Sequence, residues 1–154
     1  HTQWLANQAA VAQTKAELTQ FIWPLWPVQD ALRRSPKIDL DEAVAGYRSV
    51  LAQDPMNVTA LRRLGQIQLS RGDYQGAYHD LLAAYQLAPQ QRATRQLLGE
   101  IYAVQGDVDA AVDLWKTVDN SPQQLQTRSW WYQHIGETDA AQRLDAVYRL
   151  ATQP

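Results

Sequence analysis

Ala43, Ala77 and Ala111 stand 34 residues apart, and their neighbours repeat with them. A large side chain follows each by four positions: Tyr47, Leu81 and Trp115. Pro55 and Pro89 follow the first two alanines by 12, whereas Pro122 comes one residue early after the third. Leu64-Gly65 is echoed by Leu98-Gly99, and Gly72-Asp73 by Gly106-Asp107. A period in this range marks an array of helix pairs. Each pair is too small to bury its apolar face alone, so neighbouring pairs must stack.

The local patterns supply the helices. Asp39 to Gln53 carries Leu40, Ala43, Val44, Tyr47, Val50 and Leu51 on one face, the spacing of an amphipathic helix. Asp54-Pro55-Met56-Asn57 is a turn, and Asn57 is suited to cap the helix that follows. The next pair covers Val58 to Arg71 and Asp73 to Ala88, divided by Gly72 as a helix stop. Arg92 to Gln105 and Asp107 to Val118 follow, divided by Gly106. Gln123 to Ile135 and Glu137 to Thr152 come last, divided by Gly136. No useful stretch alternates with period two, so no strand is expected.

Upstream, Trp4 to Ile22 predicts a further helix. Trp4, Val11 and Leu18 recur every seven residues and, with Leu5, Ala9, Ala12 and Ala16, suggest one broad apolar stripe. Two uses stay open for it: an end helix of the array, or an oligomerising or membrane-proximal helix. Trp23-Pro24-Leu25-Trp26-Pro27 should break this helix, and a short helix is expected before Ser35-Pro36. The expected organisation is an N-terminal helix with a Trp/Pro-rich cap over 1–38 and repeats over 39–154. The repeats divide as a half repeat at 39–57, full ones at 58–91 and 92–122, and a degenerate terminal one at 123–154.

Composition excludes several function classes. A chain of 154 residues that is 45% hydrophobic and 19% charged can fold a core. Its net charge of −2 gives no basic field for nucleic acid. With no cysteine there is no disulfide, thiol catalyst or cysteine metal site. His1, His79 and His134 lack metal-ligand spacing. Asp39-Leu40-Asp41-Glu42 lacks the spaced ligands and glycine of a calcium loop and suits a helix's first turn instead. No nucleophile–base set, phosphate loop or dinucleotide fingerprint is present. No catalysis, cofactor or metal is therefore expected. No run of 18 apolar residues occurs, so no membrane span is expected either. The start at His1 suggests a piece of a longer protein.

The residues Leu61, Leu64-Gly65, Gln68, Ala77, Leu81 and Pro89, and then Arg95, Leu98-Gly99, Tyr102, Ala111, Trp115 and Pro122, resemble the tetratricopeptide repeat. Ala43, Tyr47 and Pro55 keep the second helix of an earlier repeat. Leu125, Tyr132 and Ala141 keep part of a fourth, shortened to 30 residues, with Arg128-Ser129 for Leu-Gly and Asp145 for the aromatic. The resemblance implies an all-α, right-handed solenoid of antiparallel helix pairs, here with an extra N-terminal helix.

It also implies a groove, lined by the first helices, that receives peptides. The corresponding residues are Arg62, Gln66, Leu69, Gln96, Glu100, Ala103, Gln126, Trp130 and Gln133. A carboxylate clamp known in the family would fall on Arg62, Gln66, Gln123 and Thr127. Only Arg62 there is charged, and Glu100 would oppose an anion, so that subtype is not expected. Three adjacent aromatics, Trp130-Trp131-Tyr132, cannot share one side of a helix, so at least one should lie near the surface, as a binding anchor or as a cover for the last pair. The arginines Arg62, Arg63, Arg92, Arg95 and Arg128 suit a solvated, acid-paired face, or less simply an anion-attracting flank. Asn57-Val58-Thr59 fits a glycosylation acceptor as well as a helix cap.

The function expected is a protein or peptide interaction module without catalysis. The partner's identity, the compartment and any self-association stay open. The alternative is the extracytoplasmic tail of a larger bacterial membrane protein involved in surface glycan assembly, which the N-terminal helix and its Trp-Pro segments resemble.

Overall fold

The computed structural model describes residues 1–19 and 28–154. The expected Trp-Pro helix break and the reach of the first helix to Ile22 fall outside the described residues. Among those described, nine helices and no strand are present. The all-α architecture of successive helix pairs is the one expected. The chain divides into two compact units, His1–Ala88 and Pro89–Pro154.

The first unit holds α1 (Thr2–Leu18), α2 (Asp30–Arg34), α3 (Asp41–Gln53), α4 (Val58–Arg71) and α5 (Tyr74–Leu87). Helix α1 pairs with α3 and α4 pairs with α5, while α3 and α2 both pack on α4. Residues 1–18 thus supply the missing first helix of the half repeat. The second unit holds α6 (Arg92–Gln105), α7 (Val108–Trp115), α8 (Ser121–His134) and α9 (Thr138–Thr152). Its pairs are α6 with α7 and α8 with α9, and α9 also lies against α6 and α7.

The Gly-Asp echo is the joint within a pair. Gly72 and Gly106 close α4 and α6 in the left-handed region, at φ 84° and 99°, where an ordinary side chain is strained. The next residue then starts the following helix. An Asp73 carboxylate oxygen accepts from the Gly76 N–H at 3.0 Å, and Asp107 from the Ala110 N–H at 3.1 Å. Gly136 turns in the same way at φ 82°, but Glu137 makes no side-chain cap. Asn57 is likewise a cap: it is 6% exposed, and its side-chain oxygen accepts from the Ala60 N–H at 3.1 Å.

The Leu-Gly echo brings the two helices of a pair together. A methyl group on Gly65 would lie 2.7 Å from Leu81 Cγ, and one on Gly99 would lie 2.9 Å from Trp115 Cδ1. Leu81 and Trp115 are fully buried, as are Ala43, Ala77 and Ala111 at 0–1% exposure. The periodic residues are therefore the packing residues. The fourth repeat replaces this contact. At the same separation of 16 residues, the Ser129 hydroxyl donates to an Asp145 carboxylate oxygen at 2.6 Å. The departures from Leu-Gly and from the aromatic are thus complementary.

Two expectations are corrected. Trp4, Val11 and Leu18 are exposed at 59%, 45% and 62%, and the face that α1 buries is Ala6, Ala9, Gln13 and Glu17. Close approach selects that face, because a methyl group on Gly46 of α3 would lie 2.9 Å from Ala9 Cβ. Ala9 thus meets α3, and Leu5, Ala12 and Ala16 of the expected stripe pack partly buried against the same core. Pro122 does not close α7. It lies in the first turn of α8, a position that needs no N–H, and Asn120 turns the chain there at φ 57°.

Polar groups complete the α1 interface. The Tyr47 hydroxyl donates to Gln13 at 2.8 Å, and the Gln13 amide donates to Glu17 at 2.8 Å. Arg33 of α2 donates to both Glu17 oxygens, at 2.8 and 3.3 Å, and to Ser70 at 3.2 Å. Ser70 in turn donates to Asp30 at 2.7 Å. A buried network satisfied in this way fixes register, since any slip would leave several groups unpaired.

Ala77→Leu should destabilise the chain by about 1–3 kcal/mol through overpacking. Gly99→Ala should also destabilise it, although alanine is the better helix former by about 1 kcal/mol. Unchanged urea midpoints would contradict both placements. Burial pushes the Tyr47 phenol up to about 12 from its ordinary 10.0, against the opposing pull of Arg63 and Arg62. The fold favours the neutral phenol, so this contribution is complete below pH 10 and declines as pH rises toward 12. Tyr47→Phe should cost about 1–2 kcal/mol at neutral pH and flatten the alkaline fall in stability, as read from urea melts across that interval.

Candidate peptide-binding face

The nine residues expected to line a groove come from α4, α6 and α8 and fall into three states. Arg62, Gln66 and Gln96 are half-buried, whereas Gln126, Trp130 and Gln133 are exposed. Leu69, Glu100 and Ala103 are buried, at 2%, 2% and 0% exposure. The last three are corrections, for they belong to packing.

Glu100 shows why. Its carboxylate accepts from Arg128 at 2.6 Å and from the Tyr132 hydroxyl at 2.8 Å. Arg128 itself is 8% exposed, and its guanidinium carbon lies 5.9 Å from the centre of the Tyr132 ring. Glu100 is thus an internal counter-ion that ties α6 to α8. The arginine that breaks the Leu-Gly motif is its partner. A further tie on the same two helices is the Gln96 amide, which donates to Gln124 at 3.2 Å.

The aromatic triplet divides by helix geometry. Trp131 and Tyr132 are 3% and 1% exposed, whereas Trp130 is 45% exposed. The Trp130 indole stacks on the His134 imidazole one turn later, with centroids 5.0 Å apart and planes 13° from parallel. This stacking holds a large, partly apolar ring at the surface between the exposed amides of Gln126 and Gln133, with little side-chain freedom left to lose on binding.

The five first-helix arginines also divide. Arg92 donates to the Asp119 carbonyl at 2.7 Å, and Arg95 donates to the carbonyls of Gln90 and Thr117 at 2.8 and 3.3 Å. Both serve the loops, and Arg128 serves Glu100. Arg62 and Arg63 have no hydrogen-bond or ion-pair partner among the described residues. Burial, and then the charge of Arg63, hold the Arg62 guanidinium below its ordinary pKa.

Sequence reasoning missed the Gln13–Glu17–Arg33 network and the Arg128–Glu100 pair. The signal for the first was present: Ala6, Ala9, Gln13 and Glu17 share a helical face, which a search for apolar residues alone passes over. Among the described residues, no group of three or more His, Cys, Asp or Glu is placed to hold a metal, and no helix is long and apolar enough to cross a membrane.

These helix pairs, with glycine-mediated close approach and capped joints, define an α-helical repeat protein. Comparison with known proteins agrees. A family model described as "Tetratricopeptide repeat" matches residues 39–92. The chain is 35% identical over 89 residues to the Mus musculus protein "N-alpha-acetyltransferase 16, NatA auxiliary subunit". The match covers 58% of this chain and only a tenth of that protein's length. The crystal structure of MamA superposes with a TM-score of 0.51 at 22% identity, over 73% of this chain and 68% of that one. Residues 39–92 thus match the tetratricopeptide repeat, and the chain as a whole shares the helix-pair fold of MamA; such repeats indicate a protein–protein interaction scaffold.

Glu100→Gln should cost about 3–5 kcal/mol, because it leaves Arg128 as a buried, uncompensated charge. Combining it with Arg128→Leu, which restores the family's residue, should recover most of that loss. Additive losses in the double variant would show that the two side chains act separately.

Proposed function

We propose that the chain is a non-catalytic binding module that holds an extended peptide or a helix of a partner protein on side chains of its first helices. The observation that carries this reading is Trp130, a half-exposed indole held in place by His134 and flanked by Gln126 and Gln133. Rigid aromatics with polar neighbours are the usual anchors of protein interfaces, because they bury much area at small entropic cost. In the same unit as Trp130, Gln96 adds a partly exposed polar group suited to peptide backbone and side chains, and in the first unit Arg62 and Gln66 offer groups of the same kind. The reading is in keeping with the name of the mouse relative, an auxiliary subunit.

Trp130→Ala should leave the melting temperature within the small range typical of surface substitutions, about ±0.5 kcal/mol. It should weaken binding of a captured partner by about tenfold or more in titration calorimetry. Unfolding of the variant would assign Trp130 to packing, and unchanged affinity would remove it from the interface.

A further inference from the structure

The exposed side of α1 is the anomaly in the first unit. The buried side, Ala6, Ala9, Gln13 and Glu17, is taken up by α3 and by Arg33 of α2. Trp4, Val11 and Leu18 lie roughly opposite, and all three are exposed. A single large apolar side chain on a surface is ordinary. Three that recur every seven residues are a seam, here about 21 Å long from Trp4 to Leu18.

The seam is symmetric about Val11. A second α1, laid antiparallel with its centre at the same residue, sets Val11 against Val11. It also sets Trp4 of each chain against Leu18 of the other. A two-fold interface requires this property, because one patch must fit a copy of itself. The charges agree with the same arrangement. Lys15 is the one charged residue among the exposed positions of α1. In the antiparallel pair it flanks the neutral Gln8 of the other chain, whereas a parallel pair would set Lys15 against Lys15. Asn7 and Thr14, which complete the exposed strip, are neutral as well. The pairing therefore covers apolar surface without burying an unpaired charge.

We propose that α1 is a self-association surface, through which two copies of the chain form a weak antiparallel dimer along Trp4, Val11 and Leu18. Size sets the strength. A stable dimer engages about 20–30 residues a side, and one helix face supplies far fewer, so the dimer exchanges with monomer. The Trp130 face lies on another helix and plays no part in this contact.

Sedimentation equilibrium of the full 154-residue chain, from about 10 μM to about 1 mM, should show monomer and dimer in equilibrium with a dissociation constant inside that range. Val11→Lys sets like charges together at the two-fold centre. It should weaken the dimer by about tenfold or more and leave the melting temperature of the dilute chain unchanged. The chain has no cysteine, so introduced thiols report the orientation. An equimolar mixture of Trp4→Cys and Leu18→Cys should form a disulfide-linked heterodimer on mild oxidation, with the second Trp4–Leu18 contact intact. Trp4→Cys alone should stay unlinked, because its two cysteines would lie about 21 Å apart along the helices. A chain that stays monomeric throughout, or a dimer that Val11→Lys leaves intact, would overturn the proposal. Self-linked Trp4→Cys would mark a parallel pair and overturn it too. A lowered melting temperature for dilute Val11→Lys would show that the seam is covered from within the same chain, with the same consequence.

Discussion

Close approach of two helices within a pair is the constraint on which the rest of this structure depends. At Gly65 and Gly99 the backbone lies so near the partner helix that a single added carbon would collide with Leu81 or Trp115. Interiors are packed to crystal-like density and do not yield to such an intrusion. The glycine thus fixes the spacing of the pair, and the large residue opposite fixes its rotation. Those two choices decide which faces of α4 and α6 point inward.

The constraint can be met by other chemistry, and the chain shows two cases. In α8 and α9, serine and aspartate occupy the positions of glycine and the aromatic, and a hydrogen bond replaces apolar contact. In α1 and α3, Gly46 meets Ala9, while the Tyr47 ring ends in a hydrogen bond to Gln13. The Tyr47–Gln13 bond is buried, and such a pair penalises wrong alignment by leaving groups unsatisfied, whereas the Ser129–Asp145 bond lies at the exposed edge of its pair. Both substitutions occur where the repeat motif fails, and there specified polar partners stand in for the shape match that fixes the regular pairs.

Much of this was legible because the repeat residues act locally. Gly72, Gly106 and Asn57 are determined by the conformations they adopt, and those depend on near neighbours. Ala77 and Leu81 follow from periodicity. The residues that could not be placed depend on distant partners. Glu100 looks like a groove residue until Arg128, 28 positions away, is seen to neutralise it. Glu17 depends on Arg33 of another helix, and the outward turn of Trp4, Val11 and Leu18 depends on a glycine of α3. Heptad spacing identified a stripe on α1 without showing which side of it was covered. For the same reason the exposure of the expected groove residues was only partly legible: helix position predicts direction, but burial depends on what stands opposite.

Stability and binding place opposite demands on the same helices. A position selected only for folding would be paired or apolar, as are Arg128, Leu64 and Leu98. Among the described residues Arg62 and Arg63 depart from this by keeping charge without a partner in a half-buried setting where desolvation lowers the Arg62 pKa, and Trp130 departs from it by exposing an indole. Each departure lies on a first helix, at a position that does not repeat. A scaffold assembled from recurring contacts can carry a few such exceptions, because stability in repeat arrays is close to a sum over pairs and their neighbours. One destabilising residue is a local cost, which the contacts of Gly65 with Leu81 and of Gly99 with Trp115 can offset. The regular positions thereby permit the irregular ones, which the 34-residue period leaves unconstrained.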